Sequence, residues 1–96
     1  MVDEIISHEP ATGAELWRGP IGNADAEVEA ARGGWAAWAA LPLTVRIETM
    51  RRFGNVVRQR HEQFADLLAR ETGKPLWEAR TEIDTVIAKV DISVTA

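Results

Sequence analysis

The order of apolar and polar positions along the chain predicts a short β-hairpin followed by four helices. Residues 4–8 and 14–18 favour strands, and the turn-forming residues Pro10 and Gly13 lie between them, so we predict a hairpin over residues 4–18. Beyond the hairpin, apolar residues recur at steps of three and four, the spacing that places them on one face of a helix. This pattern predicts helices at about residues 24–40, 44–60, 62–72 and 75–96.

Capping signals predict the ends of these helices. Asn23 or Asp25 is suited to cap the first helix and Thr44 the second, because short polar side chains accept hydrogen bonds from free backbone amides. Gly73 follows the third helix at the position that favours a left-handed glycine. Pro75 fits the first turn of the fourth helix, where a proline loses no helical hydrogen bond.

Apolar stripes predict which helix faces are buried. The stripes comprise Val28, Ala31, Trp35 and Trp38 in the first helix, Ile47, Met50, Phe53 and Val57 in the second, and Ala79, Ile83, Val86, Ile87, Val90 and Val94 in the last. Gly33 and Gly34 each weaken the first helix by about 1 kcal/mol relative to alanine, so we expect this helix to approach another backbone closely. The last stripe is still in progress at Val94, and we expect the chain to pack onto something larger.

The absence of cysteine excludes several classes of function. The 96 residues contain no cysteine, which rules out disulfides, thiol catalysis and thiolate metal sites. His8 and His61 are far apart in sequence and have no metal-ligand spacing. The first residues show no basic segment of a signal peptide, and no apolar run is long enough to span a membrane. We therefore expect a cytoplasmic protein without a membrane partner.

Charge is distributed in blocks along the chain. Residues 1–31 carry seven acidic residues and one basic residue, whereas residues 45–60 carry five arginines and one glutamate, within a net charge of −4. A local basic block is compatible with nucleic-acid binding. We favour the alternative that the arginines form the solvated or partner-facing side of one helix, because the overall charge opposes phosphate binding.

Few residues suggest catalytic chemistry. The chain has no glycine-rich phosphate loop, and no serine lies in a nucleophile-elbow context. Glu78 and Glu82 are spaced to share a helix face, but such pairs are routine on a surface helix. Trp35 and Trp38 have helical spacing and are more typical of core or interface anchors than of a ligand site. We assign no catalytic, cofactor-binding or metal-ligating residue.

Two segments resemble the aldehyde dehydrogenase family. Residues 9–15, EPATGAE, are similar to a turn near the start of these enzymes, and residues 70–79, RETGKPLWEA, are similar to a second family segment. Residues 25–41 and 46–60 resemble the helices between them. The resemblance implies a mostly α chain with a short N-terminal β-hairpin, the N-terminal portion of the α/β aldehyde dehydrogenase fold. Within the family, GKPLWEARTE most resembles N-succinylglutamate 5-semialdehyde dehydrogenases, which act in arginine catabolism.

The resemblance implies a reaction that this chain cannot perform alone. Members of the family oxidise an aldehyde to the carboxylate with NAD or NADP, using a cysteine thiolate and a glutamate. The cysteine, the glutamate and the cofactor-binding turn have no matching positions here, so we expect the chain alone to be inactive and to bind no cofactor. Some members bind a structural cation, for which Glu71 and the residues around Ser7 and His8 match. The alternative is that Glu71 simply lies in the last helical turn.

Two functional hypotheses remain open. The chain is either a structural segment of an aldehyde dehydrogenase, whose partner is the remainder of that enzyme or its subunits, or a free-standing helical interaction module without enzymatic activity. The first hypothesis predicts an isolated chain with exposed apolar surface that aggregates or is molten. The second predicts a cooperative monomer. We expect no nucleic-acid partner.

Overall fold

The computed structural model describes residues 3–96 as a β-hairpin followed by four helices. Residues 1–96 were predicted to form one segment. Of these, Met1 and Val2 lie outside the described residues. The mostly helical fold class with a hairpin near the N-terminus is confirmed. The elements are β1 (Glu4–His8), β2 (Glu15–Pro20), α1 (Ala24–Ala40), α2 (Leu43–Gln59), α3 (His61–Thr72) and α4 (Leu76–Thr95).

The two strands pair antiparallel, and the second runs two residues beyond its predicted end at residue 18. Glu4 lies opposite Pro20 at the open end of the hairpin. Proline has no N–H to donate, and the hydrogen bond at this end is made instead by the Ile21 amide to the Asp3 carbonyl at 3.1 Å. The strand can therefore include the proline without losing a ladder hydrogen bond.

The helix starts correct two of the predicted caps. Thr44 was predicted to cap the second helix, but α2 begins at Leu43, directly after Pro42. Pro75 was predicted in the first turn of the last helix, but it lies one position before α4. A proline fits both positions because its fixed φ and missing N–H are compatible with the entry to a helix. No side-chain cap was needed to start either helix.

The other two signals are where the sequence placed them. Asn23, rather than the alternative Asp25, caps α1 by accepting the Ala26 amide at 3.1 Å. Gly73 ends α3 with φ at 78°, in the left-handed region, and its amide donates to the Ala69 carbonyl at 2.9 Å. A residue with a Cβ is strained in that conformation, which explains the glycine.

The core lies where α3 and α2 pack against α4. Ala65 of α3 and Ala79 of α4 are both 0% exposed, and their small side chains let the two helices approach closely. Val57 and Ile83 complete the buried cluster. Partly buried apolar residues surround it, namely Phe64, Leu68, Ala69 and Ile87. The buried cluster is therefore small, and its four residues come from α2, α3 and α4.

The close backbone approach occurs at a different glycine from the predicted pair. A Cβ on Gly54 of α2 would lie 3.3 Å from a methyl carbon of Val90 on α4. A Cβ on Gly33 or Gly34 would meet no atom within 4 Å in the described part of the chain, so the close packing expected there is not made by any of these residues. The structure describes every residue of α1 and none of them is buried.

Within residues 3–96 the apolar stripes of the helices are buried only in part. Met50 and Phe53 of α2 remain 41% and 50% exposed, and Val86 of α4 remains 44% exposed. The stripe of α1, including Trp35 and Trp38, is exposed as well. Periodicity identifies the apolar face of a helix but not the element that covers it, and the elements within residues 3–96 cover these faces only in part.

The Gly54 contact generates a matched test. We expect Gly54→Val to lower the free energy of unfolding by about 1–3 kcal/mol, because the added methyls must displace Val90. Gly33→Val is the control, and we expect it to change stability by a few tenths of a kcal/mol, roughly the difference in helix propensity. Urea titration followed by circular dichroism measures both. Equal effects of the two variants would contradict the close approach of α2 and α4.

Candidate functional site

The two segments that carry the family resemblance meet where the hairpin reaches the end of α3. One carboxylate oxygen of Glu71 accepts a hydrogen bond from the Ser7 hydroxyl of β1 at 2.8 Å and another from the indole N–H of Trp17 of β2. A Cβ on Gly73 would lie 3.7 Å from Cβ of Pro10, so the hairpin turn lies beside the C-cap residue of α3. We call these residues the hairpin–α3 junction.

The chemistry of the junction is that of a structural tie. Glu71 is half-buried, and both of its donors come from the hairpin, so its carboxylate fixes the hairpin to α3. The candidate cation position brought together Glu71, Ser7 and His8. The structure joins the first two by a hydrogen bond, whereas His8 is exposed opposite Glu15. Among residues 3–96, no cluster of three or more histidine, aspartate or glutamate side chains is arranged to hold a metal ion.

A second polar cluster joins α3 to α4. Arg80 donates two hydrogen bonds to the carboxylate of Glu62, at 2.9 and 3.1 Å, in a bidentate pair. These hydrogen bonds hold the pKa of Glu62 below its ordinary value of 4.5, and they raise the pKa of Arg80. His61 lies 2.7 Å from Asp84, and only 24% of its side chain is exposed. His61 begins α3, one residue before the predicted start of that helix, and no sequence pattern pointed to its partner 23 positions away.

The remaining candidates have ordinary structural partners. Glu82, one of the paired carboxylates, forms an ion pair with Lys74 rather than a site with Glu78. In the arginine block, Arg51 lies 3.6 Å from Asp91 of α4. These contacts stabilise the surface of the helices and create no reactive group.

An apolar groove lies between α2 and α4 and is lined in part by the apolar stripes that periodicity singled out on these helices. Its volume is about 580 Å³. Two basic residues, Arg46 and Lys89, lie in it. The Nε of Arg46 is buried and has no hydrogen-bond partner within residues 3–96. We call this surface the α2–α4 groove; its apolar wall includes Trp38, Leu43, Met50, Phe53, Val86 and Val94.

The glycine pair of α1 does not form a phosphate-binding turn. Gly33 and Gly34 lie in the middle of α1 rather than in a turn before a helix, where glycines cradle phosphate groups. The first turn of α1 carries Asp25 and Glu27, which repel phosphate. Within residues 3–96, none of the helices combines the length and the apolar character that crossing a lipid bilayer requires.

The hairpin–α3 junction can be tested through local opening. We expect Glu71→Ala to loosen the hairpin by about 1 kcal/mol, because the Ser7 hydroxyl and the Trp17 indole lose a charged acceptor at a partly exposed position. Hydrogen exchange of the β1 and β2 amides should become about fivefold faster. Asp66→Ala, which removes an exposed ion pair with Arg70 on the same helix, is the control and should leave these amides unchanged. Unchanged exchange in Glu71→Ala would show that the tie is not what holds the hairpin.

The Glu62–Arg80 pair generates a pH dependence. The folded-state pKa of Glu62 is lowered, so its contribution to stability is present above pH 4.5 and is lost as the pH falls through the folded value. Urea midpoints measured from about pH 6 to about pH 3 should therefore fall less steeply in Glu62→Gln than in the unmodified chain. Asp66→Asn supplies the matched loss of one carboxylate on α3. If both variants show the same profile, the Arg80 contact is not responsible.

A family model and several curated proteins match nearly the whole chain. The model of the aldehyde dehydrogenase family matches residues 2–96. An N-succinylglutamate 5-semialdehyde dehydrogenase from Sphingopyxis alaskensis is 62% identical over 96 residues, which are 100% of this chain and 20% of that protein. Proteins of the same name from Novosphingobium aromaticivorans and Burkholderia thailandensis are 59% and 46% identical, over 97% and 96% of this chain and 20% of each relative.

These matches bear directly on the resemblance drawn from the two segments. The chain spans about a fifth of the length of the curated relatives that it matches. The match of the family model extends over nearly all of the chain, and the relatives carry the name of the group that GKPLWEARTE most resembles. The resemblance is confirmed: this chain belongs to the aldehyde dehydrogenase family.

Proposed function

We propose that this chain is a structural, non-catalytic N-terminal segment of an NAD(P)-dependent aldehyde dehydrogenase. In this proposal the complete enzyme oxidises N-succinylglutamate 5-semialdehyde to the corresponding carboxylate in the cytoplasm. The substrate comes from the printed names of relatives that are 46–62% identical. The observation that carries the structural role is the extent of apolar helix surface that the described residues leave uncovered.

The residue inventory supports a non-catalytic role. Aldehyde dehydrogenases are expected to attack the aldehyde with a cysteine thiolate, and the 96 residues contain no cysteine. Three carboxylates make structural contacts: Glu62 pairs with Arg80 and Glu82 with Lys74. Glu71 accepts hydrogen bonds from Ser7 and Trp17. Gly33 and Gly34 lie within α1 and form no phosphate-binding turn, which supports cofactor binding by the remainder of the enzyme.

The exposed faces support a role as one part of a larger assembly. Trp35 and Phe53 are 70% and 50% exposed, although large apolar side chains normally gain stability by burial. Contiguous apolar surface of this kind marks contacts with another protein segment. The α2–α4 groove and the exposed face of α1 are therefore assigned to contacts with the remainder of the dehydrogenase polypeptide or its subunits.

The small core of α2, α3 and α4 is the observation that favours the alternative, a free-standing helical interaction module. Val57, Ala65, Ala79 and Ile83 form a buried cluster without help from outside the chain. Sedimentation and thermal melting separate the two proposals. A cooperative, monomeric chain that neither associates with the rest of a related dehydrogenase nor restores its activity favours the interaction module.

Activity of the chain alone and in combination tests the proposed function. We expect no reduction of NAD or NADP with N-succinylglutamate 5-semialdehyde when the chain is alone, because the nucleophile is absent. Co-expression with the remaining four-fifths of the Sphingopyxis alaskensis relative is expected to restore activity. That four-fifths expressed without this chain is the control and should be inactive. Turnover by the isolated chain, or full activity of the control, would contradict the proposal.

A further inference from the structure

We infer that the α2–α4 groove binds an apolar segment of the remaining dehydrogenase polypeptide that presents a carboxylate to Arg46. This inference rests on the proposed function and deepens it, because it names the surface, the anchoring residue and the chemistry of the partner segment. The proposed interaction combines burial of the apolar wall of the groove with a charge-assisted pair between Arg46 and the carboxylate.

The apolar wall determines the first property of the partner. Met50, Phe53 and Val86 are between 41% and 50% exposed, yet they line a groove of about 580 Å³ between α2 and α4, to which Trp38 of α1 also contributes. Apolar surface in a concave site is stabilised when apolar side chains displace water from it. The partner segment must therefore carry apolar side chains of its own on the face that enters the groove.

Arg46 determines the second property. Its Nε is buried without a hydrogen-bond partner in the described part of the chain, although the free energy of a buried unpaired donor is unfavourable. A guanidinium pairs most strongly with a carboxylate because two N–H groups can donate to its two oxygens. An acidic side chain of the partner segment would satisfy this donor, which no contact within residues 3–96 does.

Charge complementarity supports an acidic partner rather than a neutral one. The charged residues that line the groove are Arg46 and Lys89, both basic, and no acidic residue of the described chain lines it. Arg51, outside the groove, has its own partner in Asp91. The positive charge in the groove is therefore available to a carboxylate from elsewhere.

The relative lengths support the remaining dehydrogenase polypeptide as the source of that segment. The matches cover at least 96% of this chain but only 20% of each relative. The relatives therefore contain about four times as much polypeptide as they share with this chain. A second copy of this chain is disfavoured, because two such grooves would bring the basic pairs Arg46 and Lys89 together.

Binding of groove variants to the rest of a related enzyme tests the inference. The probe is the remaining four-fifths of the Sphingopyxis alaskensis relative, which is co-expressed with this chain. The two polypeptides are then separated and recombined, and the affinity between them is measured. We expect Arg46→Met, which keeps the apolar stem and removes the guanidinium, to weaken binding at least about tenfold. Met50→Glu, which places a charge on the apolar wall, should weaken it at least as much.

Matched controls on α2 keep the outcomes separate. Arg52→Met removes an exposed arginine outside the groove, and Val56→Glu adds the same charge to a comparably exposed residue that does not line it. Both should change binding less than about threefold. If the unmodified chain binds but Arg46→Met and Met50→Glu bind equally well, the groove assignment is overturned and the proposed function stands. If the unmodified chain fails to bind, the proposed function itself is overturned.

Discussion

The close packing of α3 against α4 is the constraint on which the rest of the structure depends. Ala65 and Ala79 are fully buried at this contact, and larger side chains at either position would separate the helices. The Glu62–Arg80 pair spans the same two helices and adds a directional contact at the surface. With α3 held on α4, the end of α3 offers Glu71 to the hairpin, and α4 offers Val90 to α2.

The resulting architecture is complete on one side and open on the other. Around α3, Ala65 is buried, Phe64 and Leu68 are partly buried, and Glu62 and Asp66 are paired with arginines, whereas the α2–α4 groove and α1 present apolar side chains to solvent. A small core with large uncovered faces is typical of a segment that gains much of its stability from a larger assembly. Membership in the aldehyde dehydrogenase family and the 20% coverage of its relatives agree with this interpretation.

Sequence predicted the local structure better than the packing. Helix spacing, Asn23 and Gly73 act over a few residues, so the helices and the caps at these two positions could be predicted. The roles of Gly33 and Gly54 could not be distinguished, because each depends on which helix lies opposite. The family resemblance placed Glu71 near Ser7, but no pattern indicated its contact with Trp17, 54 positions earlier, because that contact depends on how the hairpin docks on α3.

We expect the remainder of a dehydrogenase to cover the α2–α4 groove. Hydrogen exchange of this chain, alone and recombined with the remaining four-fifths of the Sphingopyxis alaskensis relative, tests this most directly. The α2 and α4 amides around Met50, Phe53 and Val86 should exchange more slowly in the recombined sample. Unchanged exchange in these helices, with slower exchange confined to other elements of a complex that does form, would contradict it.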